Sequence, residues 1–275
     1  KGIKAAKKQY DRELEKLTDR LDKNYHSLYG GGDLAAWKES HQPFHWFAEF
    51  YGIVHGRSGF DVAIGNPPYV EYDARLKEQY RLAGYNTITC GNLHAFVAER
   101  VSCSLLSQQG WMGLIVPLPS MNTARMGSLQ QIIKPKNRGR SAWISAYDER
   151  PSSLFNGVDQ RLIIEIISSN KDEAYLATTG INRWYSQHRD LVFSTVHYSV
   201  QSKQIAAKTT SILKIKNSTL ETRLAEAFYK NRPLELFKSE IPSKNVVAYR
   251  TAGGRYWKVV LDRAFETKTA SGKVA

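Results

Sequence analysis

The run Gly59-Phe60-Asp61-Val62-Ala63-Ile64-Gly65 is followed at once by Asn66-Pro67-Pro68-Tyr69, and this junction constrains the chain more than any other feature. Phe60 to Ile64 read as a short buried strand. The prolines fix φ and donate no hydrogen bond, so the strand must end in a rigid turn. Such a turn at the carboxyl end of a strand is where open α/β sheets bind their ligands. Here it would hold the Asn66 side-chain oxygen and the Pro67 carbonyl as two converging acceptors, with the Tyr69 ring beside them. That set suits a planar group bearing an NH2, such as adenine. The acceptors take the amino hydrogens while the ring stacks on the plane. A plain strand followed by an Asn-Pro turn is the competing reading.

From residue 60 onward the pattern alternates. Residues 74 to 83 read as a short helix, and Asn92 caps a helix running to about Gln108. Trp111 to Val116 form an apolar strand stopped by Pro117, and Gly127 to Ile133 a further helix. Ala142 to Ala146, Leu162 to Ile167 and Ala174 to Thr178 read as strands, the second of them rich in β-branched residues. This alternation predicts an α/β sheet with helices on its faces. Before it, Tyr10, Leu14, Leu17, Leu21, Tyr25 and Leu28 recur at spacings of three and four, the mark of an amphipathic helix, and Gly30-Gly31-Gly32 ends it. After about residue 181 the pattern loosens. Leu220 to Tyr229 reads as a helix, and Val246 to Tyr249 with Tyr256 to Leu261 flank Thr251-Ala252-Gly253-Gly254 as a β-hairpin. The tail from Thr267 is polar and frayed.

A length of 275 residues allows one large domain or two smaller ones. The chain is 42% hydrophobic without an extended apolar run, which points to a soluble globular protein rather than a membrane protein. Cys90 and Cys103 are too few for a disulfide framework, and a reducing cytosol fits. His41 and His45 are separated by Pro43, so no metal is expected there. The formal net charge of +13 attracts a polyanion. By charge alone that could be DNA, RNA or a membrane surface. Lys203, Lys208, Lys214, Lys216, Arg223, Lys230, Arg232, Lys238, Lys244, Arg250, Arg255 and Lys258 enrich the last third, read as phosphate contacts or as solvated surface.

Gly59 to Tyr69 resembles the catalytic motif of DNA adenine-N6 methyltransferases. The nearest likeness is to the methylase regions of Type IIG restriction-modification enzymes and their relatives in BREX phage-defence systems. Further stretches match in order: Pro43 to Phe50, Gly91 to Phe96, Gly110 to Pro117, then Arg150 to Val158 with Gln160 to Ile164. The resemblance spans roughly Pro43 to Ser168. It implies a partial Rossmann-like class I methyltransferase sheet, whose later, closely spaced strands make an antiparallel edge. A mixed α+β target-recognition region would follow. The implied layout is a helical lead-in over 1–58, a catalytic region over 59–180 and the start of a recognition region over 181–275. The implied activity is DNA (adenine-N6) methyl transfer from S-adenosyl-L-methionine to a flipped base in double-stranded DNA, in a bacterial cytoplasm.

The resemblance also assigns roles. Asn66, Pro67, Pro68 and Tyr69 would be catalytic, Tyr69 and Phe155 would stack on the target base, and Asn92 and Leu93 would line the cofactor. Without it, Phe155 reads as a core phenylalanine and Asn92 as a helix cap. Arg150 and Arg161 are read as binding phosphate or pairing with carboxylates such as Glu149 and Glu165. Asp61 is read as orienting the turn or facing solvent, and Trp184, Tyr256 and Trp257 as base-stacking or core aromatics. The glycine-rich cofactor loop of such enzymes has no counterpart in residues 1–58. The chain is therefore expected to be part of a longer enzyme or to need a partner subunit, and by itself to bind the cofactor weakly. Two other readings stay open. One is an enzyme methylating a glutamine amide or rRNA, whose amino groups also need two acceptors. The other is a non-catalytic DNA-binding remnant.

Overall fold

The stripe of tyrosines and leucines coils into the 28-residue helix α1 (Gly2–Tyr29). Gly30 stops it as expected, its N–H reaching the His26 carbonyl at 2.9 Å. Most of the stripe faces outward, with Tyr10, Tyr25 and Leu28 exposed and Asp22 the buried residue of the helix. The computed structural model describes residues 2–134, 140–168, 174–201, 211–216, 219–230, 246–250 and 257–261. Asp33 then caps α2 (Leu34–His41), accepting from the Ala35 and Ala36 amides. Two single turns follow, α3 (Trp46–Glu49) and α4 (Tyr51–Val54). None of the described helices is long and apolar enough to cross a membrane.

The elements read from the sequence after Gly59 appear in the expected order, joined by a short helix over Pro119–Asn122 and a short strand over Ser199–Val200 that the sequence reading did not contain. They are β1 (Phe60–Gly65), α5 (Ala74–Gln79), α6 (Leu93–Arg100), β2 (Leu106–Pro117), α7 (Pro119–Asn122), α8 (Gly127–Ile133), β3 (Ser141–Tyr147), β4 (Leu162–Ser168), β5 (Leu176–Asn182) and β6 (Ser199–Val200). Several boundaries differ from expectation, and α5 already stops at Gln79 instead of 83. The helix opened by Asn92 gives way to a π turn over Val101–Leu105 and ends there, and β2 begins at Leu106 instead of Trp111. Pairing explains the early start, since Leu106 already lies opposite Phe60 of β1. Gly110 permits the irregularity that follows, because a Cβ there would lie 2.7 Å from the Phe60 carbonyl oxygen. The last of these long strands also shifts, from the expected 174–178 to Leu176–Asn182.

One sheet holds six strands in the order β1-β2-β4-β3-β5-β6. β1, β2, β3 and β5 run in one direction, and β4 and β6 run against them. The expectation that the closely spaced later strands form an antiparallel edge needs correction, because β4 sits inside the sheet, paired with β2 and β3 on either side. Its near-continuous run Leu162-Ile163-Ile164 and Ile166-Ile167 suits a strand covered on both faces. A hairpin from β3 delivers it between the parallel strands.

Alternation sorts the two faces. Met112, Leu114, Val116, Ile144, Ile163 and Ile167 point to a face sealed by Ala95, Ala98, Leu129 and Ile133. On the opposite face, Tyr147, Leu154, Leu162, Trp184 and Val192 form a smaller cluster near the carboxyl ends of the parallel strands. The compact unit that contains this sheet spans Lys1–Arg223. A helix over Leu220–Lys230 follows. The second unit, Leu224–Ala275, holds an antiparallel pair, β7 (Val246–Arg250) and β8 (Trp257–Leu261), as the hairpin reading expects. Its turn and the tail lie outside the described residues.

Candidate active site

β1 runs straight into the Asn-Pro-Pro-Tyr turn at the carboxyl edge of the sheet. Pro67 is buried, whereas Asn66 and Pro68 are exposed. The Tyr69 ring turns back over β2, and its hydroxyl lies 2.6 Å from Asn66 Oδ1 and 2.8 Å from the Ile115 carbonyl oxygen. Burial pushes the Tyr69 phenol up to about 12, so it remains a protonated donor at any physiological pH. No hydrogen bond reaches the Pro67 carbonyl among the described residues. The turn thus presents one unused acceptor, one exposed carboxamide and one half-buried ring.

The chain just past Tyr69 is pinned to the start of α6. Leu93 N–H donates to the Val70 carbonyl and Tyr72 N–H to the Gly91 carbonyl, both at 2.9 Å. Glu71 accepts from Arg125 on one oxygen and from Asn92 Nδ2, at 3.2 Å, on the other. Asn92 Oδ1 faces the His94 backbone N–H at 3.4 Å and His94 Nδ1 at 2.5 Å. His94 Nε2 lies 2.9 Å from Ser120 Oγ in α7. An amide oxygen only accepts, so the imidazole proton sits on Nδ1 and Nε2 accepts from the serine. Burial pushes the His94 pKa down to about 4, so the ring is neutral near pH 7. Its ring meets the Tyr69 ring edge to face at 6.2 Å. His94 escaped the sequence reading: a histidine two places past an Asn cap carries no signal until Ser120 arrives beside it.

Phe155 lies in the loop between β3 and β4, half-buried against the same cluster as Tyr69. Ser153 Oγ donates to the Phe155 carbonyl at 2.6 Å, and Arg189 Nη2 to the Leu154 carbonyl at 2.6 Å, which fixes the loop. The structure therefore brings Tyr69 and Phe155 to one cluster across β2 and β4. Asn92 is placed as the helix cap, its carboxamide engaged at both ends, and Leu93 is half-buried beside it.

The other singled-out residues divide. Asp61 and Arg150 are exposed. Arg161 pairs with Asp148 at 2.8 Å and approaches Glu149 at 3.9 Å. Glu165 is not its partner: alternation turns it to the sealed face, where it is fully buried with no hydrogen bond to either carboxylate oxygen among the described residues. Trp184 is core, edge-on to Tyr147 at 5.8 Å. Within the Pro43–Phe50 stretch, Pro43 to Ala48 line a cavity of about 340 Å³ with Tyr25, Trp37 and Arg100, and none of the turn residues is among its lining. His45 Nε2 lies 2.8 Å from Asp22 Oδ1, and His41 Nδ1 lies 3.2 Å from the Trp37 carbonyl oxygen. Of the basic residues in the last third, the described side chains are Lys214, half-buried, and Lys216 and Arg223, both exposed. The others, with Tyr256 and the Trp257 ring, lie outside the described side chains.

Residues 3–140 match the family described as Eco57I restriction-modification methylase. No curated protein matches the chain. Among solved structures, similarity extends to a DrdV–DNA complex at 9% identity and a TM-score of 0.42, covering 56% of this chain and 18% of that one. A nuclease-deletion mutant of the Type ISP restriction-modification enzyme LlaGI, bound to a DNA substrate mimic, aligns at 11% identity and a TM-score of 0.42, over 72% of this chain and 22% of that one. A modification subunit of a putative type I restriction enzyme from Vibrio vulnificus YJ016 aligns at 11% identity and a TM-score of 0.34, over 79% and 37%. The chain thus spans about a fifth of the length of the first two.

Proposed function

This chain belongs to the Eco57I restriction-modification methylase family, and from that premise we propose that it carries the target-amine half of a DNA adenine-N6 methyltransferase site. The observation that supports this most is the unpaired Pro67 carbonyl next to the exposed Asn66 carboxamide, at the carboxyl end of β1. The Ile115 carbonyl can only accept, so the single Tyr69 hydroxyl proton serves it well. A half-turn of the Asn66 carboxamide would then present its NH2 to the tyrosine oxygen and free Oδ1 for a substrate amine. Two acceptors on that amine favour a pyramidal, nucleophilic nitrogen, and the Tyr69 face favours the positive charge that develops on it. Tyr69 and Phe155 would hold the flipped base, which leaves the duplex at a cost of a few kcal/mol.

S-adenosylmethionine, when bound, supplies a methyl group on a positively charged sulfur. Toward it the described residues offer Leu93 as one apolar wall. The Asn92 carboxamide is already held by Glu71 and His94 and its carbonyl accepts from the Ala95 amide, so only its backbone N–H is available. The residues gathered here fit the acceptor half of the reaction better than the donor half. In the proposed layout, residues 1–58 lead in, 59–180 form the catalytic region and the recognition region begins at 181. Restriction-modification or phage defence is the proposed setting, in a bacterial cytoplasm.

The test is N6-methyladenine in plasmid DNA from cells expressing the protein, quantified by mass spectrometry. Asn66→Ala and Tyr69→Ala should remove the mark while duplex binding persists, because these groups act on the amine and not on the backbone. Methylated release-factor glutamine or rRNA in place of N6-methyladenine would overturn the DNA reading.

A further inference from the structure

We propose that Arg161, Arg183 and Lys214 form a preordered binding site for a DNA backbone phosphate, at the carboxyl edge of the sheet beside the Phe155 loop. The proposal rests on the DNA reading above and goes beyond it by naming where the strand is held. The edge is a continuous row: the Leu118 amide donates to the Arg161 carbonyl, and the Asp148 amide to the Asn182 carbonyl, both at 2.9 Å. The residues just beyond the paired ends of β2, β4, β3 and β5 therefore line up. Strand spacing puts β4 about 10 Å from β1, within reach of nucleotides flanking a base held at Tyr69.

Asp148 organises this row. Its buried carboxylate accepts from Arg161 Nε at 2.8 Å and from Arg183 Nε at 2.6 Å. Burial alone would raise its pKa, but the two guanidinium groups hold it below the usual carboxylate range. Gripping an arginine by Nε fixes the plane of the fork and turns its η nitrogens away from the carboxylate. The Arg183 side chain is 66% exposed, and its η nitrogens have no hydrogen-bond partner among the described residues. Lys214 is half-buried, has no ion-pair partner among the described residues, and lies close enough to Arg161 to feel its charge. Burial first, then Arg161, pushes the lysine pKa down. Neighbouring cations repel one another, and an anion seated beside them offsets that repulsion. Glu149 approaches Arg161 at 3.9 Å, and among the described residues no carboxylate pairs with Lys214 and none besides Asp148 pairs with Arg183. Planar forks suit phosphate oxygens, and Arg189 braces the loop alongside through the Ser153 and Leu154 carbonyls.

The experiment is anisotropy of a fluorescein-labelled DNA duplex titrated with the 275-residue chain across a salt series. Arg183→Gln keeps a donor for Asp148 but removes the charge, and Lys214→Gln does the same for the lysine. Each should lower the slope of log affinity against log salt by about one, and the pair by about two. Arg183→Lys should keep the slope, and Lys16→Gln on α1 should leave it unchanged. A parent slope retained in both glutamine variants, with melting temperatures unaltered, overturns the site while the DNA reading stands. A parent chain that binds no duplex overturns both. If Arg183→Gln melts early, Lys214→Gln decides alone.

Discussion

Leu114 and Ile115 are neighbours on β2 and live in different environments. Leu114 is 2% exposed on the face sealed by α6 and α8, whereas Ile115 is half-buried on the opposite face, with Tyr69 hydrogen-bonded to its carbonyl. The sealed face is nearly continuous aliphatic core. Among the described residues, the other is covered toward the carboxyl ends of the parallel strands by the cluster that Tyr69 and Phe155 join. Toward the amino end of β2 it stays open. Trp111 stacks on Trp143 at 5.5 Å with 42% of its own surface exposed, and Ile64 on β1 is 83% exposed. The difference separates stability from chemistry. A closed face tolerates no water and penalises any charge, while a partly open face can admit a ligand between rings.

Glu165 is the strongest probe of the closed face. Burial raises its pKa from 4.5 to about 8. The folded carboxyl then stays protonated while the unfolded one ionises, so stability falls as pH rises from 4.5 to 8. Glu165→Gln should remove that slope and raise stability above pH 8 by up to about 5 kcal/mol, read by urea unfolding across pH. A pH-independent difference would mean that water reaches the carboxyl and the face is not closed.

His94 tests the edge beside the turn and carries the opposite sign. Its pKa falls from 6.5 to about 4, so the stability it contributes is present above pH 6.5 and lost as pH drops toward 4. The loss should be roughly 3 kcal/mol, absent in His94→Gln. If Tyr69 depends on this brace, His94→Gln also lowers the methylation rate more than duplex affinity.

The open end should respond weakly. Trp111→Thr should cost about 1 kcal/mol, the worth of one aromatic pair on a half-exposed surface. Ile64→Thr should stay within about 0.5 kcal/mol in thermal melts. A cost like that of a core residue would show that Ile64 is covered in solution, which would contradict the open face.

Much of this was legible in the residues. The apolar run before Asn66-Pro67-Pro68-Tyr69 marked a strand ending in a rigid turn, though not the buried strand expected, because β1 lies at the sheet edge with Val62 and Ile64 exposed, and the isoleucine run marked β4. Asn92 and Gly30 announced a helix start and a helix stop through local hydrogen bonding. Those signals are short-range, so they survive in a single sequence. Tertiary structure alone decided that β4 enters between β2 and β3, because pairing order depends on which edges meet and not on local preference. It also put Ser120 against His94, joined Arg161 and Arg183 through Asp148, and left Glu165 without a hydrogen-bond partner among the described residues. Each of these depends on residues distant in sequence that only the folded sheet brings within hydrogen-bond range.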